Sequence, residues 1–184
     1  HVSGAIYDFT MKDIHGVEVD FKQFKGKKLL IVNTASKCGY TPQYADLEKL
    51  HRQYAPGITV LGFPANNFMW QEPGSENDIL TFCKTQYDVT FKMFSKISVK
   101  GRSKHPLYRW LQLKTGKTPS WNFCKYLVYE DGKSVKYFGS KVNPLDPVIV
   151  DEILKVQSWS MADSKGLKRA LLLKCREYVE SRIA

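Results

Sequence analysis

The chain lacks any paired-cysteine signature: Cys38, Cys83, Cys124 and Cys175 stand far apart, with no C-x-x-C pair and no adjoining histidine. That spacing excludes zinc ribbons and zinc fingers, and four cysteines in 184 residues are too few for a disulfide-stapled scaffold. Long apolar runs are also missing. The densest, residues 29–32 and 171–173, fall far short of the roughly 18 to 20 residues that span a bilayer, so no transmembrane segment is expected. Acidic residues are in short supply, 18 against 28 Lys plus Arg, which leaves a net charge of +10. Such a field attracts anions, yet the basic residues are spread from Lys12 to Arg182 and no nucleic-acid-binding motif accompanies them. A solvated basic surface is the expectation, with nucleic acid excluded as a partner and peripheral contact with lipid left open. No hydrophobic signal segment opens the sequence; His1 in place of Met reads as a trimmed or processed N-terminus, and a cytoplasmic setting is the working expectation.

What is present suits one packed domain. Hydrophobic residues make up 43% and charged residues 25%, and a chain of this length buries about 70% of its unfolded surface. Residues 6–9 and 17–21 alternate around Ile14-His15-Gly16, which predicts a short N-terminal β-hairpin. Residues 28–33 form an aliphatic run of buried-strand type. Thr41 as N-cap and Pro42 as first helical residue then open a helix whose apolar positions include Tyr44, Leu47, Leu50 and Tyr54. Residues 58–63 read as a second buried strand, and Ser75 with Asp78 reads as a capping box that opens a helix through Tyr87. Strand, helix, strand implies a parallel pair. A middle helix at 105–113, strands at 126–129 and 134–138 flanking Asp131-Gly132, and a closing helix at 147–156 complete the pattern. This is the order of an α/β, thioredoxin-like sandwich: a central mixed sheet flanked by helices, with an added N-terminal β-hairpin.

From residue 157 the character changes, and Leu167, Ala170, Leu171, Cys175, Tyr178, Val179 and Ile183 mark one face of an appended amphipathic helix. The expected division is a domain at 1–156 and a helical extension at 157–184. That extension packs on its own domain, meets a partner or membrane surface, or stays disordered.

Cys38 lies just after the first aliphatic strand and just before a helix start. Free amide N–H groups and the helix dipole at such a place favour a thiolate, and Lys37 adds positive charge. Gly39 and the polar neighbours indicate an open loop. Thr41 stands where a thioredoxin has its second cysteine, so dithiol exchange with a near neighbour is excluded and a peroxidase or monothiol role remains.

Four segments then fall into order. Residues 33–44 read Asn-Thr-Ala-Ser-Lys-Cys-Gly-Tyr-Thr-Pro-Gln-Tyr; Leu61-Gly62-Phe63-Pro64 is followed by Gln71-Glu72-Pro73-Gly74-Ser75; then come His105-Pro106-Leu107-Tyr108 and Ser120-Trp121-Asn122-Phe123. Together, over about residues 5 to 155, they resemble the glutathione peroxidase family, with its peroxidatic-cysteine signature, its second signature and its Trp-Asn-Phe motif. The resemblance implies a thiol peroxidase for hydroperoxides, with a catalytic tetrad of Cys38, Gln71, Trp121 and Asn122 and no metal or organic cofactor. A thiolate attacks the distal peroxide oxygen and is left as a sulfenic acid. The Gln71 and Asn122 amides and the Trp121 indole N–H are neutral donors suited to the thiolate and the departing oxygen.

Cys83 falls in a segment that resembles the region holding the resolving cysteine of thioredoxin-dependent members. The resemblance thus implies an atypical two-cysteine cycle: Cys83 closes an intramolecular disulfide with Cys38, and thioredoxin, or in the other case glutathione, supplies the electrons. Ile79, Cys83 and Tyr87 share a helical face, so bond formation requires that helix to unwind locally. Cys124 and Cys175 are read as structural or incidental.

The chain also departs from the family pattern. Ala65-Asn66-Asn67-Phe68-Met69 stands where Cys-Asn-Gln-Phe-Gly is usual, so Met69 either bears a positive φ at a cost of about 1 kcal/mol or reshapes the loop that presents Gln71. Lys92 replaces a common Pro and is expected to loosen the segment after Cys83. The short connection at 114–119 implies a monomer with an open cleft, one that admits bulky lipid hydroperoxides as well as hydrogen peroxide. Two other readings use the same residues: a thiol redox sensor or relay that passes oxidation to a partner, and a non-catalytic thioredoxin-like binding module. Turnover with a reductase system separates the enzyme from the relay, and a Cys38 unreactive towards peroxide would mark the module.

Overall fold

A computed structural model describes residues 4–155 and 164–183, the side chains of the second segment from Leu173 onward. The chain divides into two units, one ending at Leu154 and one running from Lys155.

The first unit opens with a 3-10 turn at Ile6–Asp8, where the alternation predicts a strand. Ile6 and Tyr7 are both buried, and consecutive residues of a strand cannot point to one face. The turn is tied elsewhere: Ile6 N–H donates to Gly132 O at 2.9 Å and Tyr7 OH to Glu130 O at 2.9 Å. The hairpin forms slightly later, pairing Thr10–Lys12 (β1) with Glu18–Asp20 (β2) in antiparallel register, Met11 opposite Val19. Asp13 Oδ1 accepts from His15 N–H and Val17 N–H to close its turn.

The aliphatic run becomes Leu29–Thr34 (β3), buried at every position, as a strand covered on both faces must be. Helix Gln43–Tyr54 (α1) leads to Thr59–Pro64 (β4), which pairs parallel to β3 from Leu29↔Thr59 to Thr34↔Pro64. Helix Glu76–Tyr87 (α2) opens on the expected capping box, with Asp78 N–H donating to Ser75 Oγ and Ser75 N–H to Asp78 Oδ2. Lys92–Met93 (β5), helix Pro106–Thr115 (α3), Lys125–Val128 (β6), Val135–Phe138 (β7) and helix Pro147–Leu154 (α4) follow. The strands form one mixed sheet of order β5-β4-β3-β6-β7, with β6 antiparallel to both β3 and β7. The α/β, thioredoxin-like architecture expected from the element order is the one that forms.

Alternate residues of β3 serve different layers. Leu29 and Ile31 pack with Phe63, Phe94, Tyr108 and Tyr126, whereas Leu30 and Val32 pack with Tyr44, Leu47, Leu127, Cys38 and Cys83. The two cysteines of interest therefore belong to the same side of the sheet.

Three local expectations are corrected. Helix α1 begins at Gln43 after Pro42, because the Thr41 hydroxyl is engaged in the preceding loop rather than in capping. Helix α4 stops at Leu154, short of residue 156. The segment after Cys83 is not loosened by Lys92: it forms β5 beside β4, Lys92 Nζ lies 3.6 Å from Asp13 Oδ2, and Glu48 clamps Thr90 and Phe91.

In the second unit, Ser164–Ile183 (α5) is a 20-residue helix with Leu173, Cys175, Tyr178, Val179 and Ile183 exposed. Arg182 lies over the Tyr178 ring, 4.9 Å from its centre, and Arg176 pairs with Glu180 at 3.5 Å. Residues 156–163 and the side chains of Leu167, Ala170 and Leu171 lie outside the described residues. Among the described residues, no helix is long and apolar enough to cross a membrane.

Candidate active site

Cys38 occupies the loop between β3 and α1. Its N–H donates to Thr41 Oγ1 at 2.9 Å, Thr41 Oγ1 donates to Ala35 O at 2.9 Å, and Thr41 N–H returns to Cys38 O at 3.0 Å. These three bonds lock the loop. Tyr40 N–H donates to Cys38 Sγ at 3.3 Å. The loop is less open than the sequence suggests: Cys38 is 9% exposed, while Lys37 and Gly39 on either side are exposed.

Gln71 arrives from the loop that follows β4. Its carbonyl accepts Lys37 N–H at 3.0 Å, which fastens it to the residue before Cys38. Its Oε1 accepts from Asn122 Nδ2 at 2.8 Å, so the bond uses the acceptor end of the Gln71 amide and leaves its NH2 as the donor. Asn122 is fully buried, and its Oδ1 has no hydrogen-bond partner among the described residues.

One residue positions this last segment. Asn33, buried at the end of β3, donates from Nδ2 to Trp121 O at 2.9 Å and accepts Cys124 N–H on Oδ1 at 3.0 Å. Its backbone carbonyl accepts Phe123 N–H at 2.7 Å. These bonds hold Phe123 at φ 61°, a left-handed conformation that costs a residue with a Cβ roughly 1–2 kcal/mol. Sequence reasoning gave Asn33 no separate role, although a buried amide ending an aliphatic strand is a readable signal. Trp121 is half-buried, and its ring centre lies 5.6 Å from that of Phe68.

The loop carrying Gln71 is itself strained. Met69 and Trp70 have φ of 55° and 50°, so Met69 does occupy the positive φ that glycine usually serves. The loop is held by Asn66 Oδ1, which accepts Glu72 N–H at 3.0 Å, and by Asn67, which accepts Val99 N–H and donates to Ser98 Oγ.

Cys83 stands apart from this hydrogen-bonded group. It lies on α2, 2% exposed, and burial pushes its thiol up to about 11, with the Glu72 charge raising it further and the Tyr44 hydroxyl opposing. Glu72, which the sequence did not single out beyond its motif, is also buried. Burial pushes its carboxyl up to about 6, against the pull of Ser36, Lys96 and Lys37 in the other direction. Cys124 is buried within bonding distance of Ser140 Oγ, Tyr137 OH and Trp121 O, which suits a structural thiol.

The arrangement thus offers a locked cysteine at a helix start, neutral amide donors tied to its loop, and a second thiol held in the core. The family model for glutathione peroxidase matches residues 6–112. The chain is 43% identical over 163 residues to the hydroperoxy fatty acid reductase gpx1 of Synechocystis, covering 81% of this chain and 94% of that one. It is 41% identical over 174 residues to the thioredoxin/glutathione peroxidase BtuE of Escherichia coli, covering 81% and 95%. Among solved structures, Trgpx in its apo form aligns with a TM-score of 0.66 at 36% identity, over 83% of this chain and 97% of that one. The chain belongs to the glutathione peroxidase family and, with it, to the peroxidase class of oxidoreductases.

Proposed function

We propose that this protein reduces hydroperoxides with Cys38 as the peroxidatic thiol and Gln71, Trp121 and Asn122 as the donors around it. The observation that carries the reading is the bonded path from the Cys38 loop through Gln71 to Asn122: Lys37 N–H to Gln71 O, then Asn122 Nδ2 to Gln71 Oε1. The Cys38 thiolate attacks the distal oxygen, the O–O bond breaks, and the departing alkoxide takes a proton to leave as alcohol, with Cys38 as sulfenic acid. Donors fixed in advance stabilise that developing negative charge without reorganising.

Cys83 is the resolving cysteine in this reading. Its thiol loses a proton, its sulfur attacks the Cys38 sulfur, and the S–O bond breaks to release water as the disulfide forms. A buried thiol raised to about 11 is a poor nucleophile where it sits, so α2 opens first and brings the Cα atoms within about 7 Å. A thioredoxin-type dithiol then takes the disulfide back to two thiols and is itself oxidised. The name of the BtuE relative carries both thioredoxin and glutathione and so supports a thiol reductant of this kind, and that of gpx1 supports fatty-acid hydroperoxides as substrates. The same proposal takes the peroxidase unit as residues 1–156, a monomer, with 157–184 as an appendage.

The test is intact-mass and peptide mapping before and after one equivalent of hydrogen peroxide. A Cys38–Cys83 bridge that a thioredoxin system opens is the expected result. A sulfenic acid persisting at Cys38 would replace Cys83 with an external thiol such as glutathione, and no oxidation at Cys38 would overturn the proposal.

A further inference from the structure

Met69 and Trp70 take no part in the chemistry just described, yet they directly precede Gln71 and are 70% and 76% exposed. Both are held in the left-handed region without being glycine. The bonds of Asn66 and Asn67 fix the loop around them, so two large apolar side chains stand in water on a braced backbone. Strain kept in place beside a reacting centre points to use.

Just before them in sequence, Phe68 is buried against Trp121, and Lys100 Nζ lies over the Phe68 ring, 5.6 Å from its centre. Lys37, whose N–H holds Gln71 O, is also exposed. The loop before Gln71 and the Cys38 loop bonded to it therefore carry an exposed apolar pair and Lys37, with Lys100 against Phe68. Hydrogen peroxide has no use for such a surface. An organic hydroperoxide does, because its carbon chain must run outward from the oxygen that faces Gln71.

We propose that Met69 and Trp70 are specificity-determining residues, an apolar rest for the acyl chain of a long-chain fatty-acid hydroperoxide whose acidic head is drawn in by Lys37 and Lys100. The inference rests on the reading of Cys38 and Gln71 above. The charge complementarity of an acidic lipid with these two lysines on a chain of net charge +10 favours this occupant over a neutral one.

Two experiments on the full chain decide it. In the first, kcat/KM is measured for an 18-carbon fatty-acid hydroperoxide and for tert-butyl hydroperoxide, in wild type, Trp70→Ala and Met69→Gly. Uncovering two methylenes of the chain amounts to about tenfold, so the preference for the long substrate is expected to fall about tenfold, chiefly through KM. Met69→Gly suits the left-handed backbone, so loss of folding does not explain a fall there. In the second, unoxidised linoleate is titrated into Cys38→Ser protein, with tryptophan emission as the readout. A saturable shift whose half-saturating linoleate concentration rises about tenfold in Met69→Gly, which keeps the Trp70 reporter, is expected.

An unchanged preference ratio in both variants, or a half-saturating linoleate concentration unchanged in Met69→Gly, overturns the inference. So does a rise in KM for thioredoxin with the ratio intact, which would mark the pair as a reductant-docking surface. Absence of peroxide turnover in wild type would instead sink the function proposed for Cys38, and the linoleate titration would still decide the acyl rest.

Discussion

Asn122 donates its side-chain amide to Gln71 Oε1 at 2.8 Å, across 51 positions of sequence, and so ties its own segment to the loop that Lys37 N–H holds at Gln71 O. If the pair acts as a unit, its members are not independent. Gln71→Ala and Asn122→Ala are each expected to slow sulfenic acid formation at Cys38 by about 100- to 1,000-fold, in the range seen when one donor to a developing oxyanion is removed. The double variant is expected to be little slower than the worse single one. Competition kinetics with hydrogen peroxide measure this; multiplicative losses would count against a joint role.

Cys83 and Cys175 form an internal comparison, one buried in α2 and the other exposed on α5. Because the Cys83 thiol is pushed up to about 11, its thiolate is scarce near neutrality. Alkylation of the reduced protein by iodoacetamide at pH 8 is expected to label Cys83 at least about 100-fold more slowly than Cys175. Comparable rates would mean that α2 is already open.

Glu48 braces the far end of α2. Its carboxylate is 7% exposed and accepts from Thr90 N–H at 2.8 Å, Thr90 Oγ1 at 2.7 Å and Phe91 N–H at 3.3 Å, with Arg52 Nε at 3.0 Å. Glu48→Ala strands those amides, and the expected loss is about 2–4 kcal/mol in urea denaturation. The same variant should alkylate at Cys83 faster, since the clamp lies directly beyond the C-terminal residue of α2, with Asp88 at φ 48°. A loss under about 1 kcal/mol would show that water replaces Glu48 adequately.

Glu72 gives stability a pH dependence whose sign can be worked out. Its carboxyl keeps a proton to about 6 in the folded protein, while an unfolded chain releases it near 4.3. Between those values the unfolded state binds fewer protons, so stability falls as pH rises through the window, by about 2 kcal/mol in all, and does not recover above it. In Glu72→Gln this contribution is absent. Urea midpoints at pH 4 and pH 7 for both proteins isolate it; equal pH slopes would sink the assignment.

The strands of the sheet's centre were legible in the sequence because β3 and β4 are built on the apolar runs at residues 29–32 and 60–63, and α2 because Ser75 and Asp78 form a local cap. Local signals of this kind survive into the structure. Elements without one did not read out: β5 is two residues long, too short for any period, and the turn at Ile6–Asp8 exists because Gly132 and Glu130, remote in sequence, supply its partners.

The same division runs through the site. Cys38, Gln71, Trp121 and Asn122 were named from motifs and their order, and a strand-to-helix loop already marked Cys38 as the thiol to watch. Residue types and their spacing thus determined the fold class, the family and the chemistry that such groups can perform. Tertiary structure alone decided that Gln71 and Asn122 share a bond, that Asn33 holds the strained Phe123 segment, and that Met69 and Trp70 stand exposed. Only there could Glu72 and Cys83 acquire their raised values. Each of these depends on burial or on a partner distant along the chain, and neither exists until the sheet has brought the loops together.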